Sequence, residues 1–176
     1  MGEIAKREQG GLALRIKSLR EALEQRVEEI TTALPAHMEG ARAIRQVQTY
    51  CALHPELMNC TIGSIVGAVM EAANHGLIID GVLGEAYLVK YGNKCQYIPG
   101  YKGLKELAIR SGKCSHLTAN AVRKGDDFEY EEGTNAFLRH KKKLEAPRGD
   151  IYAAYCVAYL TSGGTAIIVI SQDELD

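Results

Sequence analysis

Tyr97, Tyr101, Lys102, Lys105, Arg110 and Lys113 fall within seventeen residues of one another, around Pro99-Gly100 and Gly103. The local pattern is a strand end, a glycine-rich turn and the start of a helix. Backbone N–H groups at such a start point at whatever lies in front, and the helix dipole favours an anion there. The lysines and the arginine add positive charge. The two tyrosines offer flat faces for stacking, or else they are half-buried core aromatics. Cations that track a phosphate backbone beside aromatic platforms are what a single-strand nucleic-acid groove needs. No G-x-x-x-x-G-K-[ST] string occurs, so this is not a nucleoside-triphosphate loop.

A second group of candidates is purely cationic. Arg139, Lys141, Lys142 and Lys143 surround His140, with Arg148 after Pro147. Arg123 and Lys124 follow another expected strand, and Lys94 sits at a hairpin turn opposite Tyr91. A charge run alone describes a solvated loop equally well. Its context raises the nucleic-acid reading. Between Lys90 and Lys143 there are twelve Lys or Arg against six Asp or Glu, whereas the rest has nine against sixteen. The net charge of −1 therefore hides a basic middle, and local field rather than total charge governs attraction to a polyanion. The stretch from Asp126 to Glu132 interrupts that region with acid. Its carboxylates are expected to form a solvated strand edge, with a Mg²⁺ site as the alternative. No other cofactor is expected.

Candidates for covalent chemistry are few. His140 has no obvious nucleophile beside it. Asp126 and Asp127 are adjacent, so on a strand they point to opposite faces. Ser64 and Ser111 lack a G-x-S-x-G context. The five cysteines form no C-x-x-C and are odd in number, which points to reduced thiols in a cytosolic protein. No apolar run reaches membrane-span length, and no apolar signal core follows the first charges. The reading is a DNA-binding protein without a catalytic set. A phosphate-binding enzyme using the Pro99–Lys102 turn and an oligomeric scaffold without DNA activity are the competing readings.

The elements that position these residues follow from periodicity. Leu12, Ile16, Leu19, Leu23, Val27, Ile30 and Leu34 step by three and four, which predicts one helix ended by Pro35. Its stripe packs on the core or docks on a neighbouring subunit. Helices are also expected over Met38–Leu53, Thr61–His75 and Lys102–Ser111, with Gly76 as a left-handed stop. Gly63 and Gly67, four apart, suggest close approach of another element. Strands are expected over Ala86–Tyr91 and Lys94–Ile98, joined through Gly92-Asn93 so that Tyr91 faces Lys94 and Lys90 faces Cys95. Further strands are expected over Leu117–Val122, Asp127–Glu131, Ala136–His140, Ile151–Leu160 and Thr165–Ile170, the last two joined across Thr161–Gly164. Helices first and a mostly antiparallel sheet with one inserted helix afterwards make the fold α+β. The domain division is expected as a helical arm for oligomer contacts over 1–54 and a DNA-binding core over 55–176. Ser171-Gln172-Asp173-Glu174 has the form of a capping box, with room for only two residues behind it, which suggests truncation.

Several strings carry a specific resemblance. Asn59-Cys60-Thr61 and Ala72-Ala73-Asn74-His75-Gly76-Leu77 are followed by Gly84-Glu85-Ala86-Tyr87-Leu88-Val89, Ile98-Pro99-Gly100-Tyr101-Lys102-Gly103-Leu104 and Arg110-Ser111-Gly112. Phe128–Gly133, His140, Ile151–Ala158 and Ser171 continue the series. In this order and spacing the chain resembles the RecT/Redβ family of phage single-strand DNA annealing proteins. The resemblance implies ATP-independent binding of single-stranded DNA and annealing of complementary strands in homologous recombination. It implies rings or filaments of one subunit type, DNA held in a basic groove, a partner 5′–3′ exonuclease and a bacterial cytoplasmic setting, phage or prophage encoded. Family members continue past the position of Ser171 into further helices, one of them basic. A proline-containing turn often stands where this chain has Val89-Lys90-Tyr91.

Overall fold

The computed structural model of the protein describes residues 2–36, 38–144 and 147–174, and for residues 2–10 the backbone alone. Two compact units divide the chain, Met1–Leu104 and Lys105–Asp176. This packing division falls at a different place from the division by role expected at residue 54. The fold is α+β, helices first and antiparallel strands after.

In the first unit, α1 (Gly2–Glu24) and α2 (Val27–Ala33) replace the single helix expected to Leu34. The apolar stripe runs on through the break at Gln25-Arg26, and no glycine or proline marks it. The break lets each piece pack separately, α1 and α2 both against α3 (Gly40–Leu53) and α4 (Ile62–His75). Leu19, Leu23, Ile30 and Leu34 are buried by that packing, so from Leu19 onward the stripe serves its own unit. Arg15 Nη2 donates to the Cys60 carbonyl at 2.6 Å and ties α1 to the segment before α4. A short 3-10 turn over Pro55–Asn59, unmarked in the periodicity, buries Leu57 and Met58.

Helix α4 begins and ends as its residues dictate. Thr61 caps it, its hydroxyl accepting the Ser64 N–H at 3.3 Å, and Gly76 closes it at φ 60°. Replacing Thr61 with Ala removes the side-chain acceptor and leaves the Ser64 N–H only the Thr61 carbonyl at 3.0 Å. The expected loss is about 1 kcal/mol, read as a lower urea midpoint with an unchanged m-value. Gly63 and Gly67 were expected to admit a neighbour, yet a Cβ on either would meet open space. The close approaches occur elsewhere, as described below.

Strands β1 (Ala86–Tyr91) and β2 (Lys94–Pro99) form an antiparallel hairpin in which Tyr91 pairs with Lys94 and Lys90 with Cys95, the expected register. Helix α5 (Tyr101–Arg110) follows at once. In the second unit β3 (Cys114–Arg123), β6 (Ile151–Leu160) and β7 (Thr165–Ser171) make a three-stranded antiparallel sheet in the order β3-β6-β7. Strands β4 (Asp127–Glu131) and β5 (Phe137–Lys141) pair separately. Among the described residues the strands are thus divided among three antiparallel sheets. Ser171 and Glu174 interact as a capping box would, the Glu174 carboxylate accepting the Ser171 N–H at 2.7 Å. The continuation that bears on truncation lies outside the described residues.

All five cysteines are free thiols. Burial pushes the thiols of Cys51 and Cys95 up to about 12, which suits small apolar core residues better than nucleophiles.

Candidate nucleic-acid interface

The turn into α5 is made by three backbone contacts that tolerate only glycine at two places. Gly100 N donates to the Glu85 carbonyl at 2.7 Å. A Cβ on Gly100 would collide with the Gly84 carbonyl oxygen, and one on Gly103 with the Glu85 carbonyl oxygen and Leu77. The first turn of α5 is therefore pressed directly against the 84–85 backbone. Tyr101 is left 72% exposed by this arrangement, and Lys102 is exposed beside it. Lys102 and Lys105, three apart, share a side of the helix. Among the described residues neither has an ion-pair or hydrogen-bond partner.

Tyr97 takes the other course. It is 8% exposed, in the core of the first unit, and its hydroxyl lies 3.0 Å from His75 Nδ1. Its position two residues from the strand end turns it inward on β2, so it offers no open face for stacking. That corrects its expected place among the stacking residues. Lys94 is exposed but stands at the hairpin turn, the opposite end of β2 from Tyr101, about 17 Å away at a strand rise of about 3.3 Å per residue.

The second unit gathers its basic residues around a carboxylate, and the sequence reading missed this. The side chain of Asp126 is shut off from solvent. Arg148 grips it in fork geometry, Nε on Oδ1 at 2.7 Å and Nη2 on Oδ2 at 2.5 Å. His140 Nε2 lies 3.0 Å from Oδ2. The backbone N–H groups of Arg123 and Lys143 donate at 3.1 and 3.4 Å. The Arg148 guanidinium is the main reason that the carboxyl is held far below the usual range. Burial opposes it, and His140 and the two N–H groups reinforce it. A carboxylate in that state only accepts, so His140 Nε2 carries the proton. On its other side His140 Nδ1 lies 3.2 Å from the Tyr155 hydroxyl. Phe128 stacks on Tyr155 and meets the His140 ring edge-on.

Asp126 thereby draws together the end of β3, the exit of β5 and the approach to β6. Arg123, Lys124, Lys142 and Lys143 all lie along these segments, and each has a protein partner. Arg123 Nη1 donates to the Gly149 carbonyl at 2.8 Å and Lys142 Nζ to Asn120 Oδ1 at 2.9 Å. Lys124 faces Asp150 at 3.4 Å and Lys143 faces Asp127 at 2.8 Å. Arg139 and Lys141 lie directly across the hairpin from Glu129 and Asp127. On that face acid opposes base pair by pair, so the run is less cationic in space than in sequence. Arg110 is exposed on the last turn of α5.

The acidic stretch does not gather. Asp126 is saturated by five donors, and among the described residues no group of three or more His, Cys, Asp or Glu is placed to hold a metal ion. No helix among them is long and apolar enough to cross a membrane. One signal for the buried cluster was available. His140 alternates with Arg139 and Lys141 along β5 and so points to the opposite, inner face.

The candidate site is thus an open surface of a tyrosine and lysines on a glycine turn, carried by an α+β chain. The chain belongs to the RecT family, which it matches over residues 40–176. It is 37% identical to Protein RecT of Escherichia coli K12 over 159 residues, covering 85% of this chain and 58% of that protein. It is 34% identical to the uncharacterized protein YqaK of Bacillus subtilis 168 over 92 residues, covering 52% of this chain and 32% of that one. The chain therefore spans less than two thirds of the length of either curated relative.

Proposed function

We propose that this chain binds single-stranded DNA without ATP and anneals it to a complementary strand, as a homo-oligomer acting on strands supplied by a 5′–3′ exonuclease in the bacterial cytoplasm. The observation that carries the reading is the α5 turn. Within a RecT-family chain, Tyr101 is exposed, and among the described residues Lys102 and Lys105 are without neutralising partners. Lysines in that state hold phosphates, and a bare aromatic face takes a base with little regard to sequence. Neutralising the phosphates lowers the repulsion between two strands, and pairing itself supplies the driving force. No step in this needs a bound nucleotide or a metal.

Assembly has its own support. Directly paired residues share a sheet face, and one face of β3-β6-β7 carries Ala119, Ala121, Ala154, Cys156, Ile168 and Ile170. Ile168 there is 60% exposed. Such an apolar face suits contact between copies better than contact with water.

The test is annealing of two labelled complementary oligonucleotides without ATP across a salt series. The wild-type chain accelerates annealing at low salt and less at high salt. Lys102→Ala/Lys105→Ala reduces the slope of log affinity against log salt by about 1.4, since each single-strand phosphate contact contributes about 0.7. A folded wild-type chain that gives no acceleration at low salt would remove the reading.

A further inference from the structure

Surface loop tips are ordinarily polar, because exposed apolar side chains there gain nothing from folding. The segment between α4 and β1 departs from that. Val82 is 83% exposed and Leu83 44%. The loop that carries them is also firmly built. Asp80 Oδ1 accepts the N–H groups of both Val82 and Leu83 at 2.9 Å. Gly81 and Gly84 take φ of 72° and 74°, and Gly81 lies against the ring of Tyr50, where an added Cβ would meet Cε2 at 3.2 Å. Glu85 anchors the far end, its carboxylate accepting the Ile78 N–H at 3.1 Å and its carbonyl the Gly100 N–H at 2.7 Å. Two apolar side chains are thus held out in solvent by a frame that fixes both ends of their loop.

The frame places them beside the α5 turn of the same unit. The Lys102 stem passes 3.9 Å from where a Cβ on Gly84 would stand. Tyr101 is the next residue toward the turn. A cation and an open aromatic ring beside an apolar edge complement a ligand with an anionic backbone and flat apolar faces. An apolar protein surface would match Val82 and Leu83 but would leave the Lys102 charge unanswered.

We propose that Val82 and Leu83 form an apolar wedge that packs between adjacent bases of the strand whose phosphates Lys102 holds. This rests on the single-strand reading above and deepens it. Aliphatic side chains enter base steps in other nucleic-acid complexes and unstack them. Here the same insertion keeps the strand extended, with its pairing edges presented to an incoming complement.

The experiment compares oligothymidylate with an abasic oligonucleotide carrying the same number of phosphates, using anisotropy at fixed low salt on the full chain. The wild-type chain binds the base-bearing strand about tenfold more tightly, in keeping with the energies of base contacts on single strands. Val82→Ser/Leu83→Ser alters only exposed side chains. It keeps the affinity for the abasic strand and loses most of the preference, to about twofold by the same reasoning. An oligonucleotide containing 2-aminopurine brightens on binding the wild type, as its base is unstacked, and does not with the serine variant. Val82→Ile/Leu83→Met retains both behaviours. Unchanged preference in the serine variant overturns the wedge while leaving strand binding in place, as does equal loss on both oligonucleotides or a change confined to oligomeric state. A wild-type chain that binds neither strand removes the single-strand reading and the wedge with it.

Discussion

Gly103→Ala destabilises the first unit by about 1–3 kcal/mol, the range for forcing an extra carbon into a filled site. The Cβ would fall onto the Glu85 carbonyl oxygen, which is backbone, and onto the terminal methyl of Leu77, which is buried in the core. Relief requires α5 to move away from the 84–85 backbone, which also withdraws Lys102 from its place. If the chain binds single-stranded DNA as proposed, loss of stability and loss of DNA affinity should therefore arrive together. The control is the same substitution at Gly63 on α4. There the new methyl meets open space, and the helix gains about 0.5–1 kcal/mol from the better residue. Opposite shifts in the urea midpoint confirm the packing account. Equal and small effects at both positions would contradict it.

Asp126→Asn should lower the thermal midpoint of the second unit more than other single substitutions in that unit. Among its described residues only Cys114, Val122, Ala153 and Val157 are buried apolar side chains, so little else holds it. The amide keeps the shape of the carboxylate but brings donors of its own toward Arg148, His140 and two backbone N–H groups. It also leaves the guanidinium without its counter-charge. The pH dependence follows from the depressed carboxyl. An unfolded Asp titrates near about 3.9, and the folded one lower. The contribution is therefore complete above pH about 4 and is lost as the solution is acidified below it. The wild-type midpoint should fall steeply in that acid range and the variant's more gently, so that the two converge. Parallel curves would show that Asp126 is not the titrating group. Hydrogen exchange gives the spatial version of the test, with faster exchange in the variant at Arg123 and Lys143, whose N–H groups the carboxylate holds.

A net charge of −1 conceals two different kinds of basic residue. Lys124, Lys143 and Arg148 each answer a carboxylate of their own unit, Asp150, Asp127 and Asp126. Among the described residues Lys102 and Lys105 have no such partner. Counting cations along the chain ranks these groups alike, and only their partners separate them. Substituting Lys143 is thus expected to alter the packing around Asp127, whereas substituting Lys102 alters the field available to a ligand.

What the sequence by itself determined is what depends on near neighbours. The spans of β4 and β6 match the alternation of their residues, and the β1–β2 register follows from Gly92-Asn93. Thr61 and Gly76 mark the ends of α4 because a cap and a left-handed stop are properties of one or two residues. The family signature was equally legible, being a matter of order and spacing. Tertiary structure alone decided the rest. Gly63 and Gly103 are the same residue in helices, yet one faces open space and the other a carbonyl. The difference lies in Leu77 and Glu85, some twenty residues away in sequence. Tyr97 and Tyr101 lie four apart, and one is core while the other is surface, because a strand ends and a helix begins between them. Asp126 read as a solvated strand edge and is a buried hub, since Arg148 and His140 reach it from other segments. Burial and pairing are set by which distant segments meet, and that is a property of the folded chain rather than of any local stretch of it.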